Sequence, residues 1–585
     1  MSALPPKSAP QPAARTPWST KAWTSLKTSF PLLVIAGAFL WSVVVITTYR
    51  RQQSPPGTTV ELRLGHWQLE TGVREAFDKL AAEYTKLHPG VHIIQDAVPE
   101  GAYGQWMVTQ LMGGTAPDIL ETGNGVPYNV LLGFYSRYFI PLTAYVKQPN
   151  PYNQGTALSN TVWRSTFKDA MRSGYIEELQ EYMTVPLSQF GVRIFYNKTL
   201  LKKLTGLNEA PRNFQAFIAA CERIKSCQDE KGRPYTPIAA SGYHMFMWDG
   251  FLSDPLTFGA VRRLDFNRDG AVGNDELFIG FKTDRVNADF PPFKAKFRMT
   301  RELTQQCQPG FTGLGRDEAV FLFAQQRAVF ISTGTWDAGS LLEQAKGSFE
   351  VGIMAFPFPA KDDPMFGSVA EGPAYERMQF QGFPFAITRT SKHPEVALDF
   401  LMFLSSQRNN EELNRIIGWI PSISGASLPP FLKAFEPVLE GVFGAMPITL
   451  GGETIIKWSQ VYSLFQVGQI GYEALMAEFV PFYLNKGVVE YEEMQRSRRR
   501  GVAGDEQFMA GMRSQALLAP DAESLEEWNR YRRLTSDRLL TRDLGPVLME
   551  KQLNAGRMPN ATAPYDFSPE VIARVQARLK EKERR

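Results

Sequence analysis

The chain is 585 residues long and 44% hydrophobic, enough to bury at least two cores. Its 63 Lys and Arg oppose 60 Asp and Glu, leaving a formal charge of +3 and no long basic stripe; the charge carries no argument for a nucleic-acid partner, and none is expected. Three cysteines, Cys221, Cys227 and Cys307, lack CxxC or Cys/His spacing and argue against a thiolate metal site; in an exported chain one pair could close a disulfide, with buried free thiols as the alternative.

The first element is Phe30 to Tyr49, FPLLVIAGAFLWSVVVITTY, an uncharged run of about the twenty residues that cross a hydrocarbon core as a helix. Lys7, Arg15, Lys21 and Lys27 precede it without an acidic residue, which places the N-terminus in the cytoplasm. No small-residue cleavage site and no cysteine follows. The expected arrangement is a cytoplasmic Pro-rich tail (1–29), an uncleaved transmembrane signal anchor (30–49) and a linker (50–57), with the bulk of the chain facing the periplasm or cell exterior.

Beyond the linker, Val60 to Leu64 alternates as a strand, and Val73, Phe77, Leu80, Ala81, Tyr84 and Leu87 fall at helical spacing. Val91 to Ile94, a helix at Tyr103 to Met112 and a strand at Asp118 to Glu121 continue the alternation. It returns with a strand at Gly191 to Tyr196, a helix at Asn213 to Ile224 and a strand at Ala328 to Ser332. The pattern predicts two α/β lobes with mostly parallel sheets. Ligands of such folds sit at loops beyond the strands' carboxyl ends and in the cleft between lobes.

Asp265 to Glu276, DFNRDGAVGNDE, fits the EF-hand loop template. Asp265, Asn267, Asp269 and Glu276 supply side-chain oxygens, Ala271 a backbone carbonyl, and Gly270 the turn. Calcium is the expected cofactor here, as a structural clamp; a surface turn is the alternative. From 481 to 585 the chain is charged, with helical runs at Ala522 to Leu539 and Pro569 to Arg585, and is read as a helical C-terminal extension. Arg496, Arg498, Arg499 and Arg500 lie in it as a solvated face.

Four separated blocks resemble the family 1 extracellular solute-binding proteins of ABC importers, which include maltose-binding protein. They are EAFDKLAAEYTKLHPGVHI closed by GGTAPDILETGN, the run Val185 to Ile224 around Tyr196-Asn197-Lys198, AQQRAVFISTGTWD from Ala324 to Asp337, and Gly382 to Gln407 followed by GWIP. Their order matches the family across residues 58–480. The resemblance implies a two-lobed periplasmic-binding-protein-like α/β fold with a hinge, closing over a carbohydrate-like solute that is presented to ABC importer permease subunits.

Sugar sites combine aromatic faces with oriented hydrogen-bonding groups. Trp67 and Gln68 follow the first strand, and Glu121 and Asn124 end the third, at loops that should face the cleft. Trp336 stands where the family's matching Trp often stacks on ligand, Tyr243 lies at a position resembling a family ligand loop, and Trp458 resembles an aromatic on a late helix; core packing is the alternative for Trp458. The rival readings are a membrane-anchored carbohydrate-active enzyme and a solute sensor. No GxSxG, HExxH or Walker motif and no His/Cys cluster supports the enzyme, so no catalytic residue is expected.

Overall fold

The computed structural model describes residues 37, 41, 55 and 57–583, apart from 124, 177, 377–380, 439, 519–520, 539–544 and 556–568. Of Phe30 to Tyr49 only Gly37 and Trp41 are among them, so the segment expected to be an anchor lies outside the described residues. No helix of the described residues is long and apolar enough to cross a membrane.

Twelve strands are described: β1 (Val60–His66), β2 (Val91–Ala97), β3 (Ile119–Glu121), β4 (Tyr175–Ile176), β5 (Glu181–Tyr182), β6 (Val185–Gln189), β7 (Val192–Asn197), β8 (Thr236–Ala239), β9 (Ala328–Gly334), β10 (Val351–Met354), β11 (Gln381–Ile387) and β12 (Ile420–Pro421). Lobe 1 holds the sheet β12-β6-β11-β3-β1-β2 and lobe 2 the sheet β10-β7-β9-β8. Strand alternation splits each sheet between two apolar layers. In β11, Phe383, Phe385 and Ile387 join Phe77, Leu80 and Phe400 on one face, while Ala386 joins Tyr103, Met107 and Phe139 on the other. In β7, Ile194 and Tyr196 face Phe217 and Trp248, and Phe195 faces Leu341 and Phe435.

The helix Val73–Leu87 forms where its spacing predicts, burying Val73, Ala76, Phe77, Leu80 and Tyr84 along one face. Two asparagines start helices in lobe 2. The Asn197 side chain accepts from Leu200 N–H and Asn213 from Ala216 N–H, each at 2.9 Å, satisfying a first-turn donor the helix cannot satisfy itself.

The sheets are mixed rather than mostly parallel. Only β1–β2, β1–β3 and β8–β9 run parallel, while β11 runs antiparallel to β3 and β6, and β7 antiparallel to β9 and β10. The cause is that the chain crosses between lobes at Phe190 and Gly191, returns between Glu376 and β11, and crosses again after β12, so returning strands enter each sheet from the far side.

Arg193, 2% exposed, lies in β7 two residues beyond the first crossing. Its Nη1 and Nη2 donate to Glu376 Oε1 and Oε2 at 2.7 and 2.9 Å, and its Nε donates to Ala434 O at 2.8 Å. Nη2 also donates to Glu436 O, at 2.5 Å. One planar donor fork thus ties β7 to Glu376 and to the segment 434–436.

A third core lies beside lobe 2. It joins Leu264, Phe278, Phe281, Phe293 and Phe297 to Phe465, Phe479, Tyr483 and Tyr491 of the helices Gly452–Gln466 and Tyr472–Leu518. A boundary at 480/481 therefore falls inside one helix rather than between two units. Gly487 of that helix lets the ring of Phe278 approach: a Cβ there would lie 2.9 Å from Phe278 Cε2. Cys221, Cys227 and Cys307 are free thiols, and burial pushes the Cys221 and Cys307 thiols up.

In lobe 1 the β4–β5 hairpin is closed at its base by Gly174, whose carbonyl accepts from Met183 N–H at 2.8 Å. A Cβ on Gly174 would come 2.1 Å from the Thr184 carbonyl oxygen, a backbone atom with no rotamer to escape by. Gly174→Ala is therefore expected to lower stability by about 1–3 kcal/mol, read from the shift in the urea midpoint; an unchanged midpoint would show that the hairpin base can open freely.

Candidate functional site

A cleft of about 970 Å³ opens between the lobes. Lobe 1 lines it with Trp67, Glu70 and Thr71 after β1, Pro99 and Glu100 after β2, and Ile416 to Gly418. Lobe 2 lines it with Arg316 and Asp317 at the start of one helix and Trp336, Asp337, Ser340 and Glu343 of the next.

Of the residues singled out from sequence, Trp67 and Trp336 meet at this cleft from opposite lobes. Trp67 leans on Tyr103, ring centroids 5.0 Å apart. Beneath it Glu121 is fully buried and takes Gln68 Nε2–H at 2.8 Å and the Trp67 backbone N–H at 3.2 Å, while Tyr103 donates its hydroxyl to the Glu121 carbonyl at 2.6 Å. The structure thus places Gln68 and Glu121 under the Trp67 loop as a brace, not on the cleft wall, and burial pushes the Glu121 carboxyl well above the usual range. The reason is register: all three residues of β3 are buried, leaving no outward position for Glu121.

Trp336 lies in the first turn of the helix Thr335–Ala345 and meets Phe190 edge-on at 5.4 Å; its buried indole N–H has no hydrogen-bond partner among the described residues. Tyr243 is 40% exposed beside the cleft, with the Arg316 guanidinium 5.7 Å from its ring centroid. Asn124 lies outside the described residues. Trp458 stands elsewhere: it packs in the third core, stacked on Tyr462 at 5.1 Å and edge-on to Phe479 at 4.9 Å, because its helix turns that apolar side toward the helix Tyr472–Leu518.

Residues that the sequence pattern did not single out give the cleft its charge. Arg316 pairs with Asp337 and lies 3.7 Å from Glu70, so a single guanidinium bridges the lobes across the cleft. Burial raises the Glu70 carboxyl, and its Oε2 is buried without a hydrogen-bond partner among the described residues. Glu70 and Asp337 each lie within three residues of a tryptophan already singled out, which is the signal that could have found them; Arg316 carries none. A smaller cavity, about 170 Å³, adjoins the hinge between Gln189, Phe190, Glu376 and Phe435, and holds none of the singled-out residues.

The loop 265–276 follows the helical stretch ending at Leu264, and its exit helix, Asn274–Lys282, begins at the tenth place. Gly270 has φ 85°. Its carboxylates are turned to the loop's own backbone: Glu276 accepts from Phe266, Asn267 and Gly273 N–H at 2.7, 3.1 and 2.8 Å, and Asp265 from Asp269 and Gly270 N–H at 3.0 Å. Ala271 N–H donates to Asp269, and the Asn267 amide contacts Asp269 at 3.0 Å. As placed, these residues form no ligand shell, and among the described residues no group of three or more His, Cys, Asp or Glu could hold a metal.

The model of a family described as bacterial extracellular solute-binding protein matches residues 69–411, more than half of the chain. The chain belongs to that family. This solute-binding protein is 24% identical over 417 residues to an uncharacterized ABC transporter extracellular-binding protein of Pyrococcus horikoshii, covering 68% of the chain and 81% of the relative. It is 23% identical over 290 residues to a multiple sugar-binding protein of Streptococcus mutans, covering 48% of the chain and 58% of that relative. Two solved structures share the fold: RafE in complex with raffinose (16% identity, 73% of this chain, 99% of that one, TM-score 0.52) and maltose-bound MalE3 of T. maritima (17%, 72%, 98%, TM-score 0.51). The family match ends at 411, within the helix Gln407–Ile417, so the third core's C-terminal helices lie beyond it.

Proposed function

We propose that this solute-binding protein captures a carbohydrate or related polar solute between its lobes and delivers it, unaltered, to the permease of an ABC importer, held at the cytoplasmic membrane by the apolar run 30–49. The observation that carries the reading is a tryptophan from each lobe on one cleft that also holds Glu70, Asp337 and Arg316. Aromatic faces suit the C–H faces of sugar rings, and the charged groups suit their hydroxyls. The sugar-binding names of several relatives agree with it. Closure follows from the three crossings: solute that touches both lobes favours the closed arrangement by its extra contacts there.

The test is a thermal-shift panel of mono- and oligosaccharides on the purified chain, with every hit checked for breakdown. A saturable rise in Tm with intact sugar supports capture, and cleavage of the sugar would overturn it. Trp336→Ala is expected to weaken the hit's Kd roughly tenfold, about 1–2 kcal/mol, by calorimetry; wild-type affinity in that variant would remove Trp336 from the site.

Calcium at the 265–276 loop is also a proposal, resting on the residue pattern and the chain path. It requires Glu276 to exchange three backbone N–H groups for the ion. The same panel carries the test, since a site of this kind loses Tm on chelation and recovers it with calcium; identical Tm values in the two conditions would dismiss it.

A further inference from the structure

The helix Tyr472–Leu518 is rooted in the third core, beside lobe 2. Tyr483 meets Phe278 edge-on at 5.5 Å, and the Tyr472 hydroxyl donates to Ala288 O at 2.6 Å. Its 47 residues span about 70 Å at 1.5 Å each. Toward its far end Met509 and Met512 pack against Tyr531 and Leu534 of the returning helix Asp521–Arg538.

That returning helix lands on lobe 1. Arg530 pairs with Glu181, both side chains only 15% exposed, and its Nη2 donates to Leu179 O at 3.5 Å; Arg533 Nε donates to Gln180 Oε1 at 3.2 Å. All three acceptors belong to the β4–β5 hairpin or its turn. Leu179 and Ile176 of the hairpin pack in the apolar cluster on which Trp67 also leans. The lobes are therefore joined twice: covalently at the hinge, and again by a helical hairpin that starts on one and ends on the other.

We infer that the C-terminal helical hairpin is a strap that ties lobe 1 to lobe 2 and favours the interlobe arrangement of this structure over a more open one. Its release and re-engagement at Arg530 and Glu181 then set how far the cleft opens. The largely buried ion pair suits this role: intact, its two charges offset each other, and reversing one of them sets like charges against each other in a site from which water is mostly excluded. The effect on solute affinity rests on the capture reading above; the restraint on the lobes does not.

The test uses the full chain with encoded spin labels at Met112 of lobe 1 and Glu209 of lobe 2, both exposed. Arg530→Glu and Glu181→Arg are compared with the double swap, helical content being checked by circular dichroism. Without solute, each single variant is expected to lengthen the interlobe distance, and the swap to restore it. For a saccharide identified by thermal shift, each single variant weakens Kd at least threefold. Unchanged distances in both single variants, or a lengthening that the swap fails to reverse, would overturn the strap. If distances change and no saccharide binds, the strap stands and the solute class falls; if a saccharide binds and distances do not change, capture stands and the strap falls.

Discussion

Glu376→Ala is expected to lower the unfolding free energy by about 3–5 kcal/mol, a larger loss than Gly174→Ala brings. Arg193 is 2% exposed, and both its terminal nitrogens are held by the Glu376 carboxylate. Removing that carboxylate leaves a buried guanidinium without its charged partner. The Val438 N–H, which donates to Glu376 Oε2 at 3.0 Å, loses its acceptor as well. Replacing both partners with apolar residues, Arg193→Met with Glu376→Leu, should recover much of the loss, since no buried charge is then left alone. Urea titration of the single and double variants measures both quantities. A loss under about 1 kcal/mol in Glu376→Ala would mean that water reaches Arg193 and that the hinge is looser than its hydrogen bonds indicate.

The second large effect is acid sensitivity. Burial is the main cause holding both His66 and His244 down to about 4 from an ordinary 6.5. His66 Nε2 lies 3.0 Å from Gln95 Oε1, and His244 Nδ1 lies 2.8 Å from the Ser241 hydroxyl. The folded pKa values lie below the unfolded ones, so as pH falls the unfolded chain takes up protons first. The stability held by each neutral ring is whole above 6.5 and is lost as pH falls through about 4. That shift corresponds to about 3 kcal/mol per histidine. Glu70 and Glu121, raised by burial, act with the opposite sign, but they cancel in the difference between wild type and variant. His66→Gln and His244→Asn should each flatten the fall between pH 7 and 4.5 by their own share, and additively, because they stand in different lobes. Parallel pH curves for wild type and both variants would sink this account.

Local pattern carried the individual elements well. The helix Val73–Leu87 forms at the spacing of its apolar residues, the strand at Val60 begins where alternation begins, and the one at Ala328 where the apolar run AVFI begins. Strand direction was not legible, since it depends on where the chain crosses between lobes rather than on the strands' own residues. The site was legible in part. Trp67 reaches the cleft from the loop after β1 and Trp336 from the first turn of the helix after β9, whereas Gln68, next to Trp67, and Glu121, the last residue of β3, are buried, a difference set by register and burial. Arg193 and Glu376 are 183 residues apart, and nothing near either one announces the other. Trp458 shows the limit most plainly: its apolar helix face fits a cleft as well as a core, and only the partner helices decide between them.

The third core also bears on how the chain can be shortened or exchanged. Its inner wall comes from the stretch around Leu264 to Phe297 and its outer wall from helices that begin some 150 residues later, at Gly452 and Tyr472. Neither wall can close on itself. A version cut at the end of the family match would lay open the rings of Phe278, Phe281 and Phe297, and a version without the inner stretch would strand Phe479 and Tyr483 in water. The two segments are one packing unit split in the sequence, so a shortened or exchanged chain that keeps one must keep the other.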